Sequence, residues 1–201
     1  MTDFFAMLDE QRRPWLEPET LKQKFLKRST AIHPDRIGSA SDAEKADAAK
    51  TFAGLNTAYQ TLLNPKSRLL HLLELESGAR PKEIQSIPAG LADLFAEVAT
   101  ACKKTDGFLV EKKKNLSPLV AVQWFERSQD ELERLDELQK KLNLFREQLD
   151  ESLKGLDKRW MSLPPAEKHQ QLPKLEELYR LFSYFNRWGG QIQERRLQLA
   201  L

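Results

Sequence analysis

Between Phe125 and Trp160 the apolar residues fall at three- and four-residue steps, through Leu132, Leu135, Leu138, Leu142, Phe145, Leu149, Leu153 and Leu156. That spacing gathers them on one side of an α-helix, while Glu, Lys and Arg fill the other side. A stripe this long must be covered by other helices, because water would otherwise wet every turn of it. Leu163-Pro164-Pro165 ends the pattern, and a second stripe follows in Leu172, Leu175, Leu178, Phe182, Phe185, Trp188 and Ile192. Two stripes separated by a proline break predict an antiparallel pair. An earlier helix after Pro88, carrying Leu91, Leu94, Phe95, Val98 and Cys102, makes a three-helix, coiled-coil-like bundle over residues 88–201. Pairing within one chain buries the same stripe that a dimer would, so a monomer is expected rather than a homodimer. No alternating run of β-branched residues suggests a strand, and the fold class read here is all-α.

The N-terminal part reads as a separate helical unit over residues 1–76, with 77–87 as a linker. Phe4, Phe5, Met7 and Leu8 form a short apolar turn before the polar stretch Asp9–Pro14. A helix starts near Glu17-Pro18, since proline at the first helical position loses no hydrogen bond. Its inward stripe is Leu21, Phe25, Arg28/Ser29 and Ile32, and Pro34 ends it at His33. After the small polar loop Arg36–Ala40, Ser41 with Glu44 makes a capping box for a helix reaching Leu63. Its inward face is Ala48/Ala49, Phe52, Leu55/Asn56, Tyr59 and Leu62/Leu63. Asn64-Pro65 caps and starts a fourth helix through Leu69–Leu73, and the turn residues Glu76–Pro81 mark the boundary. In the C-terminal part, Lys112-Lys113-Lys114-Asn115 is expected as a solvated basic loop. Gly189-Gly190 is expected as a kink or close-packing point.

The composition narrows the function. A net charge of +2 is too small to suggest nucleic-acid binding, and no apolar run is long enough to span a membrane. The single cysteine excludes a disulfide framework and a cysteine-only zinc site, and the three histidines lack metal-ligand spacing. No phosphate loop, serine elbow or paired-histidine motif occurs, so neither an enzyme nor a cofactor is expected. A soluble protein of a reducing compartment, the cytoplasm, is the expectation.

What remains is His33-Pro34-Asp35, preceded by a helix carrying Lys22, Lys24, Lys27 and Arg28. The Pro34 ring stiffens the turn, and Asp35 is suited to accept a two-pronged bond from a partner's arginine. The cations suit an acidic partner surface.

In this setting residues 3–75 resemble a J-domain, the module by which DnaJ-class co-chaperones engage DnaK-type chaperones. The resemblance rests on Asp3-Phe4-Phe5-x-x-Leu8, the basic helix before His33-Pro34-Asp35, Asn56-x-Ala58-Tyr59-x-x-Leu62 and Asn64-Pro65-x-x-Arg68. It implies a chaperone-binding face of His33, Pro34, Asp35, Lys22, Lys27, Arg28, Arg36 and Phe25, and a partner whose ATPase is stimulated. With no Gly/Phe-rich linker or repeated CxxC, and with Leu178-x-x-Leu181-Phe182-x-x-Phe185 near the end, the chain resembles HscB/Jac-type co-chaperones. That implies a HscA-type partner and an iron–sulfur scaffold as client, held at Leu91, Phe95 and Phe182. The acidic companions of that client face are replaced by Val98-Ala99-Thr100-Ala101. The alternative is an interaction protein whose coiled-coil hairpin is the binding module and whose J-fold stimulates nothing.

Overall fold

Local capping chemistry sets the helix ends in the computed structural model, which describes residues 1–32, 41–81, 90–114 and 121–200. Helix α1 (Phe4–Met7) starts where the Asp3 carboxylate accepts the N–H groups of Phe5 and Ala6, at 2.9 and 3.2 Å. Helix α2 (Pro18–Ala31) opens on its proline. Helix α3 (Asp42–Leu63) carries the capping box: the Glu44 N–H donates to Ser41 Oγ, and the Ser41 N–H donates back to Glu44 Oε2 at 2.8 Å. Helix α4 (Pro65–Ser77) is capped by Asn64 and ends at Gly78, whose φ of 73° lies in the left-handed region that a side chain would strain.

Helices α5 (Ala92–Lys114), α6 (Ala121–Ser162, 42 residues) and α7 (Leu172–Ala200) follow, with a 3-10 turn at Pro165–Gln171 between the last two. No strand occurs among the described residues, and the fold is all-α.

The chain divides into two compact units that do not follow chain order. One is Met1–Lys82 with Glu151–Arg180; the other is Glu83–Asp150 with Leu181–Leu201. Residues 151–180, expected within a bundle of 88–201, therefore pack with the N-terminal helices. The boundary expected at 77–87 falls mostly on residues outside the described ones.

In the first unit, Phe5, Leu8, Leu21, Leu55, Ala58, Leu62, Leu69 and Leu72 are buried, as are Leu153, Leu156, Trp160 and Leu175. Arg68 is buried too, with two of its nitrogens bonded to backbone: Nε donates to the Pro14 carbonyl at 2.8 Å and Nη1 to the Leu62 carbonyl at 2.6 Å. The Trp160 indole N–H donates to the Arg12 carbonyl at 2.9 Å.

The second unit is a three-helix bundle. Phe108 meets Trp124 at 5.6 Å and Lys104 pairs with Glu131 at 3.0 Å, so α5 and α6 run antiparallel there. Phe145 meets Phe185 at 5.9 Å and Arg196 pairs with Asp136 at 2.6 Å, so α7 returns antiparallel to α6. Its interior is Leu94, Val98, Leu135, Leu138, Leu142, Phe182, Trp188 and Ile192. Cys102 is buried among them, and burial pushes its thiol pKa up.

Three expectations need correction. Lys112, Lys113 and Lys114 close α5 rather than forming a loop; lysine is a good helix former, and its charge is favourable at a helix C-terminus. Phe125, placed in the leucine stripe, is 64% exposed. Gly189 and Gly190 lie within α7, and a Cβ added at either would meet nothing within 4 Å, so neither is a close-packing point.

Candidate functional site

Helix α2 carries the cations expected to face a partner, and packing divides them into two sets. Its inward side is held by buried Leu21 and Ser29 and by Phe25, whose ring stacks on Tyr59 of α3 at 4.3 Å and 14°. Phe25 is half-buried, so much of its ring serves the α2–α3 contact. On one flank, the α1–α2 connection turns back at Asp9, where φ is 52°. Lys24 Nζ donates to the Asp9 carbonyl at 2.7 Å and pairs with Glu10 at 2.9 Å. Arg28 grips the Asp9 carboxylate with two nitrogens, Nε at 3.0 Å from Oδ2 and Nη2 on Oδ1. The Arg28 hydrogen bond holds the Asp9 carboxyl below its ordinary pKa. Lys22 and Lys27 are exposed, Lys22 in a loose 3.9 Å pair with Glu19, while the charge of Lys27 adds to the lowering at Asp9.

Of the cations expected to contact a partner, Lys22 and Lys27 thus point outward, whereas Arg28 is tied to its own chain. His33, Pro34, Asp35 and Arg36 lie outside the described residues. Helix α2 leads up to them, ending at Ala31 with Ile32 as its C-cap.

The three residues expected on a client face do not form one surface. Phe182 is 0% exposed, with the Arg146 guanidinium 5.7 Å from its ring centroid, and Leu91 is 8% exposed. Neither is reachable as a set with Phe95 unless the packing opens. Phe95 alone is exposed, at 42%, its ring 6.2 Å from that of Trp188. The periodicity that made Phe182 a candidate is the periodicity of a core position.

Two features went unread in the sequence. Leu26 sits on the outward side of α2, and the signal for it is a leucine off the apolar stripe. The anchoring of Arg13 on Asp157 joins residues 144 apart and leaves no local signature. Among the described residues, no group of three or more His, Cys, Asp or Glu side chains could hold a metal ion, and no helix is long and apolar enough to cross a membrane.

A short capped helix, a basic helix, a long third helix packed on it and a proline-started fourth fit a J-domain, here followed by long bundle helices. The chain is similar in sequence and fold to the HscB co-chaperones. It is 28% identical to the human iron–sulfur cluster co-chaperone protein HscB over 155 residues, 71% of this chain and 64% of that relative. It is 34% identical to the co-chaperone protein HscB of Proteus mirabilis over 74 residues, 37% of this chain and 43% of that one. The chain therefore spans less than two thirds of the length of these curated relatives. The crystal structure of human co-chaperone protein HscB matches with a TM-score of 0.61 at 19% identity, covering 96% of this chain and 81% of that one. No protein-family model matches the chain.

Proposed function

We propose that this protein is a co-chaperone that binds a DnaK/HscA-type ATPase chaperone through His33-Pro34-Asp35 and the outward face of α2, and stimulates its ATP hydrolysis. The observation that carries the reading is the outward pair Lys22 and Lys27 on a helix leading straight to His33-Pro34-Asp35. An exposed cationic helix that runs in sequence into a proline-centred triplet with one aspartate suits an acidic partner with an arginine to offer. The chain itself performs no chemistry in this account; the partner hydrolyses the nucleotide, in the cytoplasm. The similarity to HscB co-chaperones supports an iron–sulfur scaffold protein as the client, presented by the second unit, with Phe95 as its accessible aromatic residue.

Single-turnover ATP hydrolysis by the cognate chaperone tests this. Wild type accelerates hydrolysis, while His33→Gln and Asp35→Asn do not. Equal stimulation by wild type and both variants would overturn the mechanism. For the client, an iron–sulfur scaffold that fails to bind the wild-type chain removes that assignment alone.

A further inference from the structure

Helix α2 spends its apolar stripe on Leu21 and Phe25, yet Leu26 remains 50% exposed on the other side. Positions 22, 23, 26, 27 and 30 of a helix share one surface. Here Lys22, Gln23, Lys27 and Thr30 surround Leu26, and all of them are exposed. The Thr30 hydroxyl turns inward to donate to the Leu26 carbonyl at 2.8 Å, so its side chain is directed back along the helix.

A lone exposed leucine is ordinary on a protein surface and by itself says nothing. Its setting is more informative. Lys24 and Arg28 are drawn to the opposite flank by Glu10 and Asp9, which leaves the outward flank with one large apolar group between two cations. Contact centres are built this way, from an apolar group that is dehydrated on docking and a rim of charge that steers the approach. A second copy of this chain would bring Lys22 and Lys27 against like charges. A nucleic acid or an anionic membrane would use the lysines without needing an apolar group at that point.

We propose that Leu26 is the apolar anchor of the chaperone-docking face, entering an apolar dimple within an acidic surface of the ATPase chaperone while Lys22 and Lys27 rest on its rim. The inference rests on the function proposed above and adds a residue to it.

The test is a titration of the full chain against the cognate chaperone, read as single-turnover ATP hydrolysis, with Leu26→Met, Leu26→Ala, Leu26→Lys and Asp35→Asn beside wild type. Leu26 contributes little to the core, so these changes leave the fold intact. The concentration for half-maximal stimulation rises about five- to tenfold for Leu26→Ala and at least as much for Leu26→Lys, with the maximum unchanged. Leu26→Met stays within about twofold. If attraction were purely electrostatic, Leu26→Lys would bind tighter than wild type. That result, or Ala and Lys variants that titrate like wild type, overturns the anchor while leaving the proposed function standing. A wild-type chain that does not stimulate at all overturns the function and the anchor with it.

Discussion

Asp157 of α6 receives Arg13 in a two-pronged ion pair: Arg13 Nε donates to Oδ1 at 2.9 Å, and its Nη2 donates to Oδ2. The same Oδ1 accepts the Trp15 N–H at 3.1 Å, and Asp157 is almost wholly buried. Removing the carboxylate would leave a guanidinium and a backbone N–H without their acceptor. We expect Asp157→Ala to lower the unfolding free energy by about 3 kcal/mol and Asp157→Asn, which keeps an acceptor for Trp15, by less. Urea denaturation followed by tryptophan fluorescence measures both; a loss below about 1 kcal/mol for the alanine variant would show the pair to be incidental.

The His71 imidazole is a proton-sensitive part of the first unit. Its Nε2 accepts the Phe4 N–H at 3.1 Å, which requires the neutral ring, and it stacks on Phe5 at 5.8 Å. Burial depresses its pKa below the ordinary 6.5, against the opposing fields of Asp3 and Glu74, with Arg12 adding to the depression. A folded pKa lower than the unfolded one means the unfolded chain binds more protons as pH falls. The contribution is therefore full above about 6.5 and is lost as pH falls from there through the folded value. Denaturation at pH 7.5, 6.5 and 5.5 should show stability falling on acidification. His71→Gln should flatten that dependence, and an unchanged slope would exclude His71 as its source.

The partition of charge on α2 predicts unequal effects. Replacing both Lys22 and Lys27 by alanine should weaken chaperone stimulation several-fold at low salt, with the difference shrinking as salt rises. Arg28→Ala should act first on the turn at Asp9, lowering the melting temperature more than the double variant does. A double variant indistinguishable from wild type at low ionic strength would show that the outward cations play no part in docking.

Burial separates Phe182 from Phe95. We expect Phe182→Ala to cost about 3–5 kcal/mol of stability, as deletion of a buried aromatic ring does. Phe95→Ala should cost about 1 kcal/mol, the worth of a partly exposed aromatic contact. Scaffold pull-down with the Phe95 variant then reports on client contact without a folding defect. Retained binding there would remove Phe95 from the client surface.

The helix ends were legible because their causes are short-range. Ser41 with Glu44, Asn64 with Pro65, and the turn residues around Gly78 each act within one turn, whereas the cap at Asp3 went unread. Likewise Leu135, Leu138, Leu142, Leu153 and Leu156 were recognisable as interior from spacing alone. The client face was not legible, since an apolar residue in a bundle core and one on a contact surface can share a period, and only packing assigns Phe182 to the first and exposes Phe95. Nor could the pattern distinguish Arg28 from Lys27, neighbours of the same charge on one helix.

From the sequence alone come the all-α class, the capped starts of α3 and α4, and the cationic approach to His33-Pro34-Asp35, all of which depend on neighbours within a few residues. The tertiary structure alone decided that Glu151–Arg180 join the first 82 residues, that Asp9 and Glu10 claim Arg28 and Lys24, and that Leu26 is left outside between two lysines. Those outcomes depend on which side chains meet across distant stretches of chain, and helical periodicity records the direction a residue faces but not what stands opposite it.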